Sequence, residues 1–585
     1  MNVLGISGLE DAMPFKRAHW PGLEEREYRI SQGHDAAAAL VIDGVPVAAA
    51  AQERFDRQKH SARFPMGAIC YCLREAGLSI EDIDELAHGF DYTPYMRPYS
   101  LDPTTAQLYK EVLSREALLA LVDRHMPGFP GERVHHVNHH LAHAASAYFT
   151  SGWHECLVAV VDALGEAQSV TIFWARGGQF EKLGEISAQD SIGILYSLVT
   201  LHLGFDFNSD EYKIMGLAPY GNPERFRRFY AKTVELHTDG SIRIPILRCN
   251  HTRDEREHYT VTRKYLHDNL VKERRPGEEI DAEHRDVAAA LQECLDNVML
   301  HVCGHYGCTT GLRRLALAGG VALNCTANGH LMRCGLFDEV YIQPAAGDDG
   351  SALGAALYRA SQAKEVQNVR SPAPFYGPWY SIAQIEAALT EFRDRIEVRR
   401  YETLAETCAE AARLIAEGRV IAWYRGRMEF GPRALGHRSI LADPGRPEMR
   451  DRINGLVKMR EAFRPFAPAV SLEQAHLWFD VPPMTELAYM IATVDVRDNY
   501  RAQLPAITHV DGSARLQTVS AKDNPEFHVL LKAVGAISGR EMVLNTSFNI
   551  KGQPIVNTPR EALSTFLGTG IEFLFLEDIL VRRRP

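Results

Sequence analysis

The sequence predicts an α/β protein in which one strand-and-hairpin unit occurs twice in tandem and a separate α/β domain follows. Three observations carry this. Short apolar runs, each with a small polar turn and a hairpin, occur near the start and again from Cys156 onward. Helix-like stretches separate and follow them. Ser371-Pro372-Ala373-Pro374-Phe375-Tyr376-Gly377-Pro378 then breaks all periodicity and reads as a linker. A chain of 585 residues exceeds one ordinary core, so the expected domains are 1–370 and 381–585, with the linker at 371–380.

Taken in order, Asn2 to Ser7 is a short strand. Asp11 to Pro21, long and aromatic-bearing, is expected to be a loop at that strand's end. It fits either a contact with a substrate or a plain surface insertion. Gly33-His34-Asp35 leads into the run Ala36 to Ile42, Asp43-Gly44 is a hairpin turn, and Val45 to Ala51 returns. Met66 to Gly77 is a helix closed by a glycine. Cys156 to Asp162 opens the second unit, Ser169 to Ala175 follows, Gly177-Gly178 turns, and Phe180 to Ile186 returns. Ala282 to Val302 is a long amphipathic helix, and Leu315 to Ala318 a buried strand. In the last domain Leu404 to Gly418 is a helix and Val420 to Tyr424 a strand. Two strand-and-hairpin units in tandem are the pattern of the actin-like ATPase and sugar-kinase fold, whose duplicated halves clamp a nucleotide.

Composition narrows the function. The net charge of −11 disfavours a dedicated nucleic-acid binder. No apolar run reaches about 18 residues, so no membrane span is expected. Met1 to Ser7 enters a strand without a basic leader, which argues against a secretion signal. The ten cysteines are scattered, and Cys70 and Cys72 are too close for a structural zinc pair. Reduced thiols in a cytoplasmic protein are the simplest account.

The chemistry concentrates in a few motifs. His139 and His143, four apart in a helix-forming stretch, stack on one face, and Asp162 ends an apolar strand. Two imidazoles and a carboxylate at a strand's carboxyl end suit a first-row divalent metal with open positions. Alone, the pair also fits surface histidines on a helix. Leu315 to Ala318 runs into Gly319-Gly320-Val321-Ala322-Leu323-Asn324, where glycines let backbone approach a nucleotide. Gly347-Asp348-Asp349-Gly350 places carboxylates and free N–H groups at a helix start. After the linker, Arg425, Arg427, Arg433, Arg438 and Arg446 crowd together, with Lys458 and Arg464 beyond. Interleaved with glycine and proline, they fit a cradle for phosphate and carboxylate better than a solvated basic face.

These residues resemble a family. His139 to Ala147, Asp162, Met215 to Gly221, Gly319 to Asn324 and Gly347 to Gly354 look like the first domain of the O-carbamoyltransferases of antibiotic and nodulation-factor biosynthesis. Gly431 to Ser439, Lys458, Arg464 to Pro468, Asp511 to Gln517 and Leu544 to Asn549 look like their second domain. The motif order matches along nearly the whole chain. The family's first domain is similar to the tRNA threonylcarbamoyl-transfer enzyme, and its second to the YrdC type that makes acyl-adenylates. The hydrogenase-maturation carbamoyltransferase is a cousin whose paired-cysteine zinc modules and acylphosphatase-like domain have no counterpart here.

The resemblance implies two steps. Carbamoyl phosphate and ATP, with Mg, give carbamoyl-adenylate and pyrophosphate in the second domain. An acceptor hydroxyl then attacks the carbamoyl carbon in the first. By position His139, His143, Asp162 and Asp348 match the family's metal site, implying iron, Fe(II). Arg433, Lys458, Arg464 and Arg515 match the cradle for carbamoyl phosphate and nucleotide, with Asn545, Ser547 and Asn549 as neutral partners. Lys59 and Lys213 resemble first-domain site residues, and Gly319, Gly320 and Asn324 fall on its nucleotide side. His34 suits the general base beside the acceptor, and fits a turn-capping histidine equally well. The partners implied are ATP, carbamoyl phosphate and a small-molecule hydroxyl compound. The acceptor's identity is left open, and an oligomer is compatible with the sequence. Rival readings are a tRNA-modifying enzyme, disfavoured by charge, an actin-like-fold kinase or ATPase, which has no use for the arginine-rich domain, and a non-catalytic nucleotide-binding regulator.

Overall fold

Alanine and valine fill the first strands so completely that both faces can be buried, and the chain uses them in one arrangement twice. In the computed structural model, which describes residues 1–363, 374–458, 461 and 463–584, β1 (Asn2–Ile6) lies between two neighbours. It pairs antiparallel with β2 (Ala37–Ile42), which pairs antiparallel with β3 (Val45–Ala51). On its other side it runs parallel to β4 (Glu85–His88), itself parallel to β5 (Val134–His136). The sheet order is β3-β2-β1-β4-β5. β6 (Glu155–Val161), β7 (Gln168–Arg176) and β8 (Gln179–Ser187) form the second meander. After a short ribbon of β9 (Glu235–Leu236) and β10 (Ile242–Arg243), β11 (Arg314–Ala318) adds parallel to β6, and β12 (Glu339–Ile342) parallel to β11. The order β12-β11-β6-β7-β8 repeats the first sheet's topology. The duplication that is faint at the residue level is therefore explicit in strand pairing, as the actin-like ATPase and sugar-kinase fold requires.

The chain divides into two compact units, one of Met1–Asp56 with His60–Ser371, the other of Arg57–Lys59 with Pro372–Pro585. Residues 371–373 of the expected linker lie outside the described residues. In the first unit the helices His139–Ser151 and Asp348–Ala363 meet backbone to backbone: a Cβ on Gly354 would fall 1.7 Å from the Ala142 carbonyl oxygen. That contact fixes the two helix N-termini side by side.

The second unit is built on an eight-stranded mixed sheet. β13 (Ile396–Arg400), β14 (Ile421–Tyr424), β15 (Arg438–Ala442) and β16 (Ala467–Ser471) enter it in turn. β17 (Thr493–Asp495) and β18 (Ser513–Arg515) make a ribbon. β19 (Gln517–Val519), β20 (Met542–Ser547), β21 (Phe573–Leu576) and β22 (Ile579–Arg583) complete the order β13-β22-β21-β14-β15-β20-β16-β19. Helices Leu404–Ala416 and Pro525–Ser538 cover it through Leu414, Phe527, Leu531 and Trp423.

Two expectations are corrected. The Asp11–Pro21 segment is not a loop: Ala12–His19 is a helix with Phe15 and Lys16 buried. A buried lysine breaks the apolar spacing by which such a helix is recognised. The long helix runs on from Ala282 to Thr310, because Gly304 and Gly307 pack against Leu336 and Phe337 instead of ending it. All ten cysteines are free. No helix among the described residues is long and apolar enough to cross a membrane.

Candidate functional site

The parallel strands β6, β11 and β12 deliver Asp162, Gly319-Gly320 and Asp348 to one edge of the second sheet. The helix starting at His139 faces them. Its start is fixed by Asn138, whose side chain accepts from the Leu141 amide. His139, His143, Asp162 and Asp348 each turn one ligand atom inward, all within 4.8 Å of one another. His139 Nε2 lies 3.1 Å from His143 Nε2, 3.3 Å from Asp162 Oδ2 and 3.5 Å from Asp348 Oδ1. His140, the third histidine of the run, turns away, its Nδ1 2.7 Å from Thr171 Oγ1.

These residues fit a metal. His139 Nδ1 lies 2.9 Å from the Gly89 carbonyl oxygen, which can only accept, so Nδ1 carries the hydrogen and Nε2 presents a lone pair. Two imidazole nitrogens, the buried Asp162 carboxylate and the partly exposed Asp348 carboxylate converge on one point and could hold a metal ion. Burial works against the charge on Asp162; protonated, His139 and His143 more than reverse it and hold its carboxyl well below the usual carboxylate range, and a cation on their Nε2 atoms would act in the same sense. Asp348 is held below its ordinary value in the same way.

The Gly-Gly turn orients Asp162. Gly319 has φ +92°, and a Cβ there would lie 2.3 Å from the Val161 carbonyl oxygen. The Gly320 amide donates to Asp162 Oδ1 at 3.0 Å, leaving Oδ2 toward the histidines. The turn therefore aims the ligand. Sequence reasoning missed Glu166, which is buried in the hairpin after Asp162. Its carboxylate accepts from the Asp91 amide (2.7 Å), the His139 amide (2.8 Å) and Asn138 Nδ2 (2.7 Å). A lone glutamate in a loop carries no pattern that would reveal this.

The other first-unit candidates scatter. His34 is buried, with Nε2 3.0 Å from Ser31 Oγ. Burial and Arg29 push it down to about 4, while Asp348 lies near enough to oppose them. Lys213 pairs with Asp210 at 2.8 Å. Asn324 caps its own helix and exchanges two hydrogen bonds of 3.0 Å with Gln292, so its amide is engaged within the protein. Lys59 lies in a three-residue segment that clusters with the second unit. Arg57, which opens it, and His60, which follows it, both sit at positive φ.

In the second unit, register collects the remaining candidates. Ser439 pairs with Ser547, Ala467 with Asn545, and Ala469 with Gln517. The loops carrying Arg433 and Arg464, and the end of β18 with Arg515, therefore enter the sheet at the edge where β20 ends in Ser547 and Asn549 follows. Arg464 lies 3.6 Å from Glu461, and Ser547 Oγ donates to Asn549 Oδ1 at 2.6 Å. Lys458 ends a short π-helix, and its side chain lies outside the described residues.

The arginine crowd is not one cradle. Arg425 pairs with Glu526 and Asp578 at 2.9 and 3.0 Å. Arg438 is fully buried over Tyr424 and donates to the Arg425, His437 and Pro378 carbonyls. Arg446 and Arg427 hold the carbonyls of Ala416 and Tyr376. What these contacts build is a rigid loop. Glu429 Oε1 accepts from the amides of Leu435, His437 and Arg438, at 2.7, 2.9 and 3.2 Å. Gln517 and Asn524 hold the Leu435 carbonyl. Asn545, expected to reach the ligand, is fully buried and holds the Ala434 carbonyl at 3.2 Å.

Known proteins match both units in order. A model of the carbamoyltransferase N-terminus covers residues 28–94 and 105–357, and one of the carbamoyltransferase C-terminus covers 412–583. Nodulation protein NolNO of Sinorhizobium fredii is 38% identical over 563 residues, 94% of this chain and 79% of that protein. The 3'-hydroxymethylcephem-O-carbamoyltransferase of Streptomyces clavuligerus is 36% identical over 274 residues, 46% of this chain and 49% of that one. Among solved structures, full-length HypF in its phosphate- and nucleotide-bound form aligns at 12% identity and TM-score 0.34, covering 62% of this chain and 56% of its own. Because both family models and a relative of near full length agree, this chain belongs to the carbamoyltransferase family and is a transferase.

Proposed function

We propose that the protein carbamoylates a hydroxyl group of a small molecule in two steps, one in each unit, joined by carbamoyl-adenylate. In the first step water removes the phosphate of carbamoyl phosphate. The carbamate oxygen then attacks the α-phosphorus of ATP, and pyrophosphate leaves. Arg433, Arg464, Arg515 and Lys458 would bind the phosphate charge that moves in this step, with Mg accompanying ATP. Ser547 and Asn549 would supply neutral hydrogen bonds. In the second step the acceptor oxygen attacks the carbamoyl carbon, the carbon–oxygen bond to AMP breaks, and the hydroxyl proton leaves to a base. His34, neutral and within electrostatic reach of Asp348, is the proposed acceptor of that proton.

The observation that carries this reading is the four-ligand cluster at the carboxyl edge of the repeated sheet, in a chain matched by both halves of one transferase family. His139, His143, Asp162 and Asp348 would hold a divalent ion, for which we propose iron. Bound there, it would supply positive charge to a phosphate leaving group. His139 is aligned by Gly89, Asp162 by Gly320, and the start of the helix by Glu166, so the protein sets the direction of two of the four donors. The test is product analysis with ATP, carbamoyl phosphate and a panel of hydroxyl compounds. AMP plus pyrophosphate and a carbamate ester are expected. ADP as the nucleotide product would replace this reading with a kinase.

A further inference from the structure

The family match skips residues 1–27 and 95–104. In the fold these two stretches meet in one place. Phe15, Trp20, Tyr95 and Tyr99 join Phe90 and Tyr92 in a single aromatic cluster. That cluster is the wall of the metal-ligating centre. The Phe90 ring lies flat on His139, with centroids 4.1 Å apart and planes 6° apart. Tyr95 Oη accepts from Gln168 Nε2 at 2.8 Å, in the hairpin that follows Asp162. Tyr92 donates to Gln32, which in turn donates to the carbonyls of Leu164 and Gly165. The stretches outside the family match thus pack directly against the part inside it.

One side of this cap carries polar atoms without a hydrogen-bond partner among the described residues. Trp20 sits between Arg253, whose guanidinium carbon is 4.5 Å from the ring centre, and the edge of His258, 5.6 Å away. Trp20 Nε1 donates to Asp254 Oδ1 at 3.1 Å, which pins the ring. Arg253 Nη1 faces Asp102 at 3.5 Å. Its Nε and Nη2 are buried and have no hydrogen-bond partner among the described residues. Those two nitrogens form the side-on edge by which a guanidinium grips a carboxylate with two parallel hydrogen bonds. His258 is 6% exposed, and neither ring nitrogen has a partner among the described residues. Buried polar atoms are normally satisfied, so four such atoms around one tryptophan point to a missing ligand. Within the 95–104 stretch Met96 and Leu101 stand 53% and 87% exposed.

We propose that this cap selects the acceptor, and that the acceptor is a hydroxyl compound bearing a carboxylate, gripped by the Nε/Nη2 edge of Arg253 beside Trp20. This rests on the carbamoyl-transfer reading above. An acceptor held there by its carboxylate and packed on Tyr95 would extend its hydroxyl toward the metal-ligating residues. His258 would complete the polar end.

The test uses full-length protein and two probes that differ only in charge, 4-(hydroxymethyl)benzoate and 4-methylbenzyl alcohol. Calorimetry should show the carboxylate binding at least about 10-fold more tightly, the span expected of a charge-assisted bidentate contact. Arg253→Gln should erase that difference while melting within a few degrees of wild type. Arg253→Lys, which keeps the charge but lacks the fork, should keep only part of it. Equal affinity for the two probes, no binding of either, or a preference that survives in Arg253→Gln overturns the proposal and leaves ordered water as the partner of these groups. The carbamoyl-transfer reading fails separately, if the wild-type protein releases no pyrophosphate from ATP and carbamoyl phosphate.

Discussion

The metal-ligating centre and the arginine-bearing sheet edge solve opposite problems. At the first, four side chains point at one another and could hold a metal ion. Orientation comes from single hydrogen bonds, Gly89 to His139, Gly320 to Asp162 and Glu166 to the start of the helix. At the second, few side chains point at one another. Buried Glu429, Gln517, Asn524 and Asn545 hold the backbone of the loop from Phe430 to Arg438, and Arg433 rides on it. One site is made of ligands, the other of a stiff loop that carries them. Substitutions should therefore act on what is bound in the first and on how well a charge is placed in the second.

The largest effect should come from removing a ligand. Supporting hydrogen bonds around metal ligands are worth roughly 10- to 100-fold in affinity. His143→Ala and Asp162→Ala should exceed that and yield protein without bound metal, where the wild type holds about one ion per chain. Elemental analysis decides, and full metal content in both variants would mean that the cluster is a hydrogen-bonded core.

A smaller and more diagnostic effect is expected from the two buried glutamates. Glu166→Gln should weaken metal binding roughly 10- to 100-fold and leave pyrophosphate release alone. Glu429→Gln should do the reverse. Loosening its three amide contacts should cost about 1–3 kcal/mol of transition-state binding, read as lower kcat/KM for pyrophosphate release with metal content unchanged. If either variant shifted both readouts, the contrast between the sites would be lost.

The smallest effect concerns stability. Burial lowers Lys16 from 10.5 to about 8, against the pull of Glu257 and Glu27. Between those values the unfolded chain binds a proton that the folded chain does not, so folding is favoured as pH rises through that window and the penalty is complete below it. Lys16→Met should remove this slope. Chemical denaturation of both proteins at pH 8 and at pH 10 measures it, and parallel pH dependence would show that Lys16 is not desolvated.

What the sequence revealed follows from where the information lies. His139 and His143 are four apart, and Asp162 closes an apolar run, so the pair and the strand-end acid are visible locally. The hairpins Ala37–Ile42 with Val45–Ala51, and Gln168–Arg176 with Gln179–Ser187, are legible for the same reason. The helix at Ala12–His19 is not, because its buried face includes a lysine. Residue type misleads where a group serves the fold: Arg425 and Arg438 look like phosphate ligands and turn out to be tied to acids and carbonyls. Asn324 and Asn545 are likewise engaged inside the protein. Glu166 and Glu429 were invisible because their partners are backbone amides that only the folded chain brings near.

The division of labour between the units is best tested by pyrophosphate release from ATP and carbamoyl phosphate without acceptor, followed with radiolabel in two variants. Arg433→Ala should lose this activity by about 10- to 150-fold or more, the value of a charge-assisted bidentate contact. Asp348→Asn, which changes shape little, should release pyrophosphate at near wild-type rates and yet fail to carbamoylate any acceptor. Loss of both activities in a folded Asp348→Asn protein would contradict the two-site account and favour one site for both steps.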